Sequence, residues 1–451
     1  MQDQHDTISA IATAPGMGAI GVIRVSGPRA IALVNGLFRG KDLTQQPGHT
    51  LHYGKLHSTA GQLLDEVVVS LFRAPKSYTR QDVVEISCHG SPHILNRVQA
   101  ELLAAGARPA DPGEFTLRAY MNGALDLAQA EAVADLIASR SEKSRELALQ
   151  QLRGGVSQRL AELREQLLHF AALLELELDF SEEDVEFADR SQLATTLQHA
   201  RTEVDRLLST YQSGNALKNG IPVVIAGRPN AGKSTLLNNL LADERAIVSA
   251  IAGTTRDIIE DRLLLQGYEF RLIDTAGLRQ ALDPIEAEGV RRSHQQLHRA
   301  ALVLFLFDPA ETSYPTAQAD VAALQLPPNA HVHYLATKAD LHPRPANLPR
   351  AVPHLATPTP NAAEQVRQRL LHFAQQLDQH DVTLTHQRHY SALHSAADAL
   401  AQVADGLATP LPTDLLSIDL RQALHALGTI TGEVTTDEIL GAIFSKFCIG
   451  K

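Results

Sequence analysis

One stretch, Gly227-Arg-Pro-Asn-Ala-Gly-Lys-Ser-Thr235, constrains the fold of this chain more than any other. It follows an apolar run at residues 221–226, which predicts a buried strand, and it precedes residues 236–240, which predict the start of a helix. A strand, a Gly-x4-Gly-Lys-Ser loop and a helix in this order are typical of a phosphate site, because glycine lets the backbone wrap around oxygen atoms and the helix N-terminus supplies donors. Lys233 would neutralise the outer phosphates and the Ser234 hydroxyl would hold Mg2+. The alternative is a glycine-rich turn without a ligand, which this context disfavours.

Composition narrows the class of protein. The 451 residues suggest roughly two to four domains. A net charge of -11 and the absence of Trp argue against a generally basic nucleic-acid-binding protein and against many base-stacking platforms. Transmembrane and signal segments are not expected, so we expect a cytoplasmic protein without membrane contact. Cys88 and Cys448 are too far apart in sequence to suggest a disulfide framework, and His89 and His93 do not complete a zinc site with Cys88.

The pattern along the chain predicts a multidomain α/β plus all-α fold. Residues 1–118 alternate between strand and helix signals. Residues 119–216 are rich in helix formers, with Leu160, Leu163, Leu167, Phe170 and Leu174 at the spacing of a helical core. Residues 217–376 alternate again around the phosphate loop, and helix signals resume over 377–451. The simplest architecture is an N-terminal α/β domain followed by a helical domain into which a P-loop domain is inserted.

Three further motifs indicate that the nucleotide is GTP. Asp274-Thr-Ala-Gly277 follows a short apolar run, so Asp274 can hold Mg2+ through water and the Gly277 amide can sense the γ-phosphate. Gly253-Thr-Thr-Arg-Asp257 lies where a switch loop belongs, and Thr255 is its natural Mg2+ ligand. Thr337-Lys-Ala-Asp340 ends with a carboxylate that accepts two hydrogen bonds from guanine, which adenine does not offer.

The order of these motifs resembles the Era-like (Ras-like) GTPases, with three departures. Thr337 stands where that group has Asn, residues 355–357 do not carry the usual Ser-Ala sequence, and Leu278 stands where Ras-type enzymes place a water-orienting Gln. Asn230 offers an oxygen for a monovalent cation beside the phosphates. Glu286 and Glu288 compete as groups that orient water, and either could instead belong to a solvated helix face.

More specific motifs lie at both ends of the chain. Phe447-Cys-Ile-Gly-Lys451, Thr13-Ala-Pro-Gly-Met-Gly18 with Gly21-Val-Ile-Arg24, Pro112-Gly-Glu-Phe115 and Leu125-Asp-Leu-Ala-Gln-Ala-Glu131 resemble the MnmE (TrmE) family of tRNA modification GTPases. The resemblance covers essentially the whole chain. It implies a tetrahydrofolate-binding and dimerisation domain at 1–118, helical segments at 119–216 and 377–451, and a GTPase domain at 217–376.

The resemblance also implies a reaction. The chain would be a K+-activated GTP hydrolase in a homodimer that joins an MnmG-type FAD and NADH protein as a heterotetramer. With tRNA as substrate, the complex would install an aminomethyl or carboxymethylaminomethyl group at C5 of the wobble uridine. The one-carbon unit would come from 5-formyl- or methylene-tetrahydrofolate.

Family roles carry over to matching positions. Glu286 would orient water and Lys233 would assist catalysis, while Arg256, Asp257 and Arg279 fall in the switch regions. The Mg2+ ligands would be Ser234 and Thr255, and the K+ ligands Asn230, Ser249, Ile251 and Thr254. The residues implied to bind GTP are Asn230, Ala231, Gly232, Lys233, Ser234, Thr235, Ser249, Ala250, Ile251, Ala252, Gly253, Thr254, Thr255, Asp274, Thr275, Ala276, Gly277, Thr337, Lys338 and Asp340. Folate contacts would come from Arg24, Glu85, Lys451 and, through its backbone, Ala124, which stands where the family often has a basic residue.

Some alternatives remain open. Without the family, Arg24 and Glu85 would be interpreted as surface charges on strands. Cys448 could attack C6 of uridine, but a buried structural cysteine is the commoner case. Two other functions compete: a nucleotide-switched RNA-binding or ribosome-assembly factor, and a folate-binding scaffold whose GTPase activity has decayed.

Overall fold

The computed structural model of the chain describes residues 6–179, 189–242, 260–274, 300–327, 330–409 and 413–450. The chain forms two compact units. The first unit comprises Met1–Ile137, Gln150–Thr202 and Ala392–Lys451, and the second comprises Ala138–Leu149 and Glu203–Ser391. In the described ranges, no helix combines the length and apolarity needed to cross a membrane.

A seven-stranded sheet forms the centre of the first unit, in the order β3-β4-β5-β6-β2-β1-β7. Its pairs are antiparallel except for the parallel pair β1–β7. Burial alternates along β5 and β6, so one face of the sheet is buried. The strands are β1 (Ile8–Ile11), β2 (Ile20–Ser26), β3 (Phe38–Arg39), β4 (Thr50–His57), β5 (Leu63–Phe72), β6 (Val83–His89) and β7 (Arg108–Pro109).

Helices cover the buried face of this sheet and extend the first unit. Val34 of the first helix and Val98 of the second pack into one core with Ile23, Val69 and Ile86 of the sheet. The five apolar residues predicted from helical spacing between Leu160 and Leu174 are all buried. Helices with residues in this unit are α1 (Ala30–Leu37), α2 (Pro92–Ala104), α3 (Glu114–Met121), α4 (Leu127–Ala138), α5 (Glu142–Leu152), α6 (Gly155–Asp179), α7 (Arg190–Ser209), α12 (Gln387–Ala408), α13 (Thr413–Thr431) and α14 (Asp437–Phe444).

The second unit is built on a sheet of order β12-β11-β8-β10-β9. Strands β8, β10, β11 and β12 pair in parallel, and β9 pairs antiparallel with β10 at one edge. Every residue of β8 except the last is buried, as expected for a central parallel strand covered on both faces. The strands are β8 (Ile221–Gly227), β9 (Glu260–Leu265), β10 (Tyr268–Asp274), β11 (Leu302–Phe307) and β12 (His331–Ala336).

Helices lie on both faces of this second sheet. Leu236 and Val366 pack with Val223 on one face, whereas Val321 packs with Val224 on the other. The parallel strands therefore bring their carboxyl ends to one edge, which is where ligands bind in sheets of this kind. The helices are α8 (Tyr211–Asn219), α9 (Lys233–Leu241), α10 (Tyr314–Ala322) and α11 (Pro360–Leu377), together with the residues of α4, α5, α7 and α12 that belong to this unit.

Candidate functional site

Backbone geometry makes the phosphate loop dependent on glycine at two positions. Gly227 has φ 146° and Gly232 has φ 85°, both in the region that favours glycine. A Cβ atom on Gly227 would lie 2.1 Å from the carbonyl oxygen of Leu306, and one on Gly232 would lie 2.9 Å from Oγ1 of Thr357. The loop therefore packs against neighbouring backbone and side chain too closely for any other residue.

Lys233 is the first residue of α9, and its ammonium group lies over the loop. Its Nζ donates to the carbonyl oxygen of Gly227 at 3.0 Å and to that of Arg228 at 2.9 Å. Ser234 and Thr235, in the first turn of α9, are exposed. The N-terminus of α9 thus combines a cation, hydroxyl groups and the positive end of a helix dipole, a combination suited to phosphate.

Arg228, at the start of the phosphate loop, is paired with a residue outside the loop. The guanidinium of Arg228 forms an ion pair with Asp320 of α10, with Nε 2.7 Å from Oδ2. This pair directs the Arg228 side chain to α10. Asn230, which is exposed, has φ 61°, a conformation in which Asn is enriched among residues other than glycine.

At the end of β12, Thr337 is fully buried and is tied to the neighbouring strand. Its amide and its hydroxyl both donate to the carbonyl oxygen of Phe307, at 2.9 Å and 3.2 Å. Nε2 of His354 lies 3.1 Å from the Thr337 carbonyl oxygen. The threonine that replaces the expected asparagine therefore anchors its loop to β11. Asp340, at the end of the same motif, is exposed.

Lys338 connects this loop to a buried acid. Its φ of 60° lies in the left-handed region, which costs an L residue about 1–2 kcal/mol. Its Nζ lies 2.8 Å from Oδ2 of Asp308, which directly follows β11 and is buried. Burial alone would raise the pKa of Asp308, but the hydrogen bonds from Lys338 and from the Ala310 amide, together with the Lys338 charge, lower it overall. The hydrogen bond to Asp308 raises the pKa of Lys338 in turn, so both groups stay charged at neutral pH.

Residues 355–357, which lack the usual Ser-Ala sequence, complete this edge of the sheet. The amide of Leu355 donates to the carbonyl oxygen of Ala336 at 2.8 Å, and the amide of Ala339 donates to that of Leu355 at 3.1 Å. Nδ2 of Asn239, on α9, donates to the carbonyl oxygen of Thr357 at 2.7 Å. Residues 355–357 therefore contact both the Thr337–Asp340 loop and the phosphate loop helix. The sequence did contain a positional signal, because Thr359 and Pro360 are a helix N-cap and N1 pair.

Asp274 is the last residue of β10, opposite Ile225 of β8. This places its backbone at the same edge of the sheet as the phosphate loop. The other predicted site residues of this region lie outside the described residues: Ser249, Ala250, Ile251, Ala252, Gly253, Thr254, Thr255, Thr275, Ala276, Gly277 and Glu286, together with Arg256, Asp257, Leu278, Arg279 and Glu288.

A second group of predicted residues meets in the first unit. Arg24 of β2 and Glu85 of β6 are direct cross-strand partners. Oε1 of Glu85 accepts from Nε of Arg24 at 2.9 Å and from Nη2 at 2.7 Å. Their side chains are only 16% and 27% exposed, so the interpretation of both as ordinary surface charges is wrong. The guanidinium lies 5.4 Å from the ring centre of Tyr78 and 5.7 Å from that of Phe115.

The chain's last described residues reach this pair. Nη1 of Arg24 donates to the carbonyl oxygen of Gly450 at 3.2 Å. Cys448 is a free, exposed cysteine, so the expectation that it is buried is wrong. Its apolar neighbours Phe444 and Phe447 form the buried cluster instead. Lys451 itself lies outside the described residues.

Cys88 and Ala124 occupy ordinary structural positions. Cys88 is buried, and desolvation raises the pKa of its thiol to about 12. The Ala124 amide donates to the carbonyl oxygen of Ala119 at 2.8 Å and so helps to end α3.

Comparison with known proteins identifies the family. A model of the GTP-binding protein TrmE N-terminus matches residues 7–124, and a model of the MnmE helical domain matches residues 127–448. The chain is 49% identical to the tRNA modification GTPase MnmE of Cytophaga hutchinsonii, over 99% of this chain and 98% of that protein. It is 46% identical to the MnmE of Flavobacterium psychrophilum, over 99% of both. A crystal structure of Aquifex aeolicus Era is 23% identical, covering 40% of this chain and 66% of that one, with a TM-score of 0.28 that adds nothing to the assignment.

These matches confirm the expected fold class, in which an α/β N-terminal domain precedes a helical domain with an inserted P-loop GTPase domain. They also confirm that the chain is a GTPase and an enzyme of tRNA modification. The domain boundaries and the residue roles stay predictions. The chain belongs to the MnmE (TrmE) family of tRNA modification GTPases.

Proposed function

We propose that this GTPase is activated by K+ and works with an MnmG-type FAD and NADH protein on the wobble uridine of certain tRNAs. The pair installs an aminomethyl or carboxymethylaminomethyl group at C5 with a one-carbon unit from a tetrahydrofolate. The observation that carries the nucleotide part is the shared edge of the second sheet. There the phosphate loop, with the Lys233 ammonium over it, follows β8, and the loop that carries Asp340 follows β12, which belongs to the same set of parallel strands.

The phosphate half of the proposal depends on Lys233 and Ser234. Lys233 is held over the loop by carbonyl oxygens, so an incoming phosphate competes for an ammonium that is already positioned. The exposed Ser234 hydroxyl is an oxygen donor of the kind that Mg2+ prefers, and Thr255 is proposed as its companion. Bound Mg2+ would supply charge neutralisation at the phosphates. The chain's own contribution is to fix donors where negative charge develops.

The base half depends on Asp340. The loop that carries it is bonded to β11 through Thr337 and to residues 355–357 through Ala339. Such anchoring holds the exposed Asp340 in one place, where its carboxylate accepts from the two guanine donors. GTP is therefore the preferred nucleotide.

Activation by K+ is proposed at Asn230. This residue is exposed within the phosphate loop, and its side-chain amide oxygen is a hard ligand suited to an alkali cation. A cation beside the phosphates would offset the charge that builds up there. Ser249, Ile251 and Thr254 are proposed as the remaining ligands, and Glu286 as the group that orients water.

Turnover in matched salts tests this proposal. We expect GTP hydrolysis to be at least roughly tenfold faster in KCl than in NaCl at equal ionic strength. Asn230→Ala should lose most of that difference, whereas Asn238→Ala, an exposed asparagine on α9, should keep it. Equal wild-type rates in the two salts would overturn K+ activation.

Folate binding is proposed at the Arg24–Glu85 pair. Among the described residues, the Glu85 bonds use only Oε1, so Oε2 is available to accept from the amino-pyrimidine edge of a pterin. Arg24 and the proposed Lys451 suit folate carboxylates, and the Ala124 contact would be through backbone only. Bound folate would supply the one-carbon unit.

Calorimetric titration with 5-formyl-tetrahydrofolate tests the folate site. Glu85→Gln should weaken binding roughly tenfold or more. Glu66→Gln, on neighbouring strand β5, where Glu66 accepts from Tyr53, should bind like wild type. Equal affinity of wild type and Glu85→Gln would remove Glu85 from the proposed site.

Homodimerisation and a heterotetramer with the MnmG-type protein are part of the same proposal. Light scattering of the purified chain, alone and with that protein, measures both. A monomeric mass at micromolar concentration would contradict the dimer. Masses of the two separate proteins in the mixture would contradict the complex.

A further inference from the structure

The acid that follows β11 has no place in the sequence motifs of the site. Asp308 is 5% exposed, and its carboxylate makes two well-formed contacts. Oδ2 lies 2.8 Å from Nζ of Lys338, and Oδ1 accepts from the amide of Ala310 at 2.9 Å. One oxygen therefore holds the turn after β11, and the other holds the loop after β12.

Lys338 occupies the centre of the guanine motif in a conformation that needs support. A φ of 60° is unusual for a residue with a Cβ atom, and such conformations persist only where neighbouring groups determine them. Two contacts support it: Thr337, the residue before Lys338, is bonded to Phe307, and the Lys338 side chain contacts Asp308. Two bonds after it, from the amides of Leu341 and His342 to the Lys338 carbonyl oxygen, close the turn that contains Asp340.

The Asp308–Lys338 ion pair also compensates a buried charge. Asp308 is a buried charge, and removing its partner would leave it uncompensated in a poorly hydrated position. Glu311 is the next acid near the same ammonium, but its Oε1 lies 4.0 Å away and its side chain is 68% exposed. Salt and solvent screen that second contact, so Asp308 is the one that fixes Lys338.

We infer that Asp308 is a positioning residue for guanine recognition, since it holds Lys338 in the left-handed turn that presents Asp340 to the base. The inference rests on the proposed role of Asp340. Asp308 acts through Lys338 and requires no contact of its own with the nucleotide. Its loss should therefore weaken the binding of the base and leave the phosphate chemistry intact.

Equilibrium binding of fluorescent GDP, with steady-state GTP turnover, gives the first test. Asp308→Asn keeps the shape of the side chain and the bond to Ala310, but it removes the charge that holds Lys338. We expect the dissociation constant to rise about tenfold, with kcat at saturating GTP within about twofold of wild type. Glu311→Gln should change neither quantity. An unchanged dissociation constant in folded Asp308→Asn protein would overturn the inference, and so would a fall in kcat alone.

A second test separates this inference from the proposed role of Asp340. Asp340→Asn should shift preference from GDP to xanthosine diphosphate, because the amide donates where the carboxylate accepted. Adding Asp308→Asn to that variant should weaken the binding of xanthosine diphosphate by the same factor as it weakens GDP in wild type. No shift with Asp340→Asn would refute the role of Asp340. If the preference shifts but the double variant binds xanthosine diphosphate as tightly as Asp340→Asn does, only the role of Asp308 is refuted.

A double-mutant cycle guards against a general loss of structure. Lys338→Met and Asp308→Asn disrupt the same contact, so their combination should weaken GDP binding no more than the more damaging single variant. Additive losses would show that Asp308 acts independently of Lys338, contrary to the inference.

Discussion

The side-chain amide of Asn239 donates a 2.7 Å hydrogen bond to the carbonyl oxygen of Thr357. Asn239 lies on α9, directly after the phosphate loop, and Thr357 lies in the segment that contacts the Thr337–Asp340 loop. The bond therefore links the proposed phosphate half of the nucleotide site to its proposed base half. Thr337, which stands where related motifs have asparagine, donates to β11 instead. The Asn239–Thr357 bond therefore makes this link without that asparagine.

Removing this link should weaken nucleotide binding. We expect Asn239→Ala to raise the dissociation constant for GDP roughly fivefold, the effect of one lost hydrogen bond with a buried acceptor. Asn238→Ala removes an exposed amide from the same helix and should bind GDP like wild type. Fluorescence titration of both variants makes the comparison, and equal affinities would show that the bond has no role in binding.

Lys233 should be needed for turnover. Its ammonium group is positioned over the loop by two carbonyl oxygens, so Lys233→Ala removes a pre-oriented charge where phosphate binds. GTP hydrolysis should fall roughly 100-fold or more. Arg228→Gln is a matched change, because that guanidinium is directed to Asp320 instead. A phosphate-release assay should show activity for Arg228→Gln within about twofold of wild type.

Gly227→Ala should destabilise the second unit. Its Cβ atom would lie 2.1 Å from the Leu306 carbonyl oxygen at a φ of 146°, so backbone must move. We expect the free energy of unfolding to fall by about 2–4 kcal/mol. At Gly36, in α1, an added Cβ would have no heavy atom within 4 Å. Gly36→Ala should raise stability by about 0.5–1 kcal/mol. Calorimetric unfolding curves of both variants measure these opposite shifts.

Acid should weaken the first unit through Asp6. Burial raises the pKa of this carboxyl, but hydrogen bonds and charges from Arg108 and Arg118 outweigh burial and lower the pKa overall. Because the folded pKa is lower than the unfolded one, the stabilisation is complete above the unfolded pKa and is lost as pH falls through the folded value. Urea unfolding at neutral pH and at about pH 3 should show a smaller loss for Asp6→Asn than for wild type. An equal loss in both proteins would assign the acid sensitivity to other groups.

Local pattern was enough to predict β2 but not β4. Residues 20–26 are rich in β-branched side chains, a composition that predicts a strand, and the strand spans Ile20–Ser26. In β4, Leu51 and Tyr53 face outward, 70% and 67% exposed, while His52 and Gly54 face inward on the same side as Leu56. Gly54 is required because a Cβ atom there would lie 2.4 Å from the Phe38 ring. The hydrophobic pattern is reversed over residues 51–54, so the sequence alone does not reveal this strand.

The candidate site shows the same division between local and long-range signals. Sequence located Lys233 and Asp340, because phosphate loops and guanine motifs are short contiguous patterns. It did not reveal Asp308, or the bond between Thr357 and Asn239, because these contacts join residues far apart along the chain. Their charge alone would place Arg24 and Glu85 on the surface. The two side chains become paired and half-buried only because β2 and β6 are neighbours in the sheet.

The nucleosides of tRNA give the most direct test of the central claim. Total tRNA from cells that lack this chain, digested and analysed by mass spectrometry, should have no aminomethyl or carboxymethylaminomethyl group at C5 of wobble uridine. Expression of the wild-type chain should restore the group, and Lys233→Ala should not. Normal C5 modification in cells without the chain would contradict the proposed function.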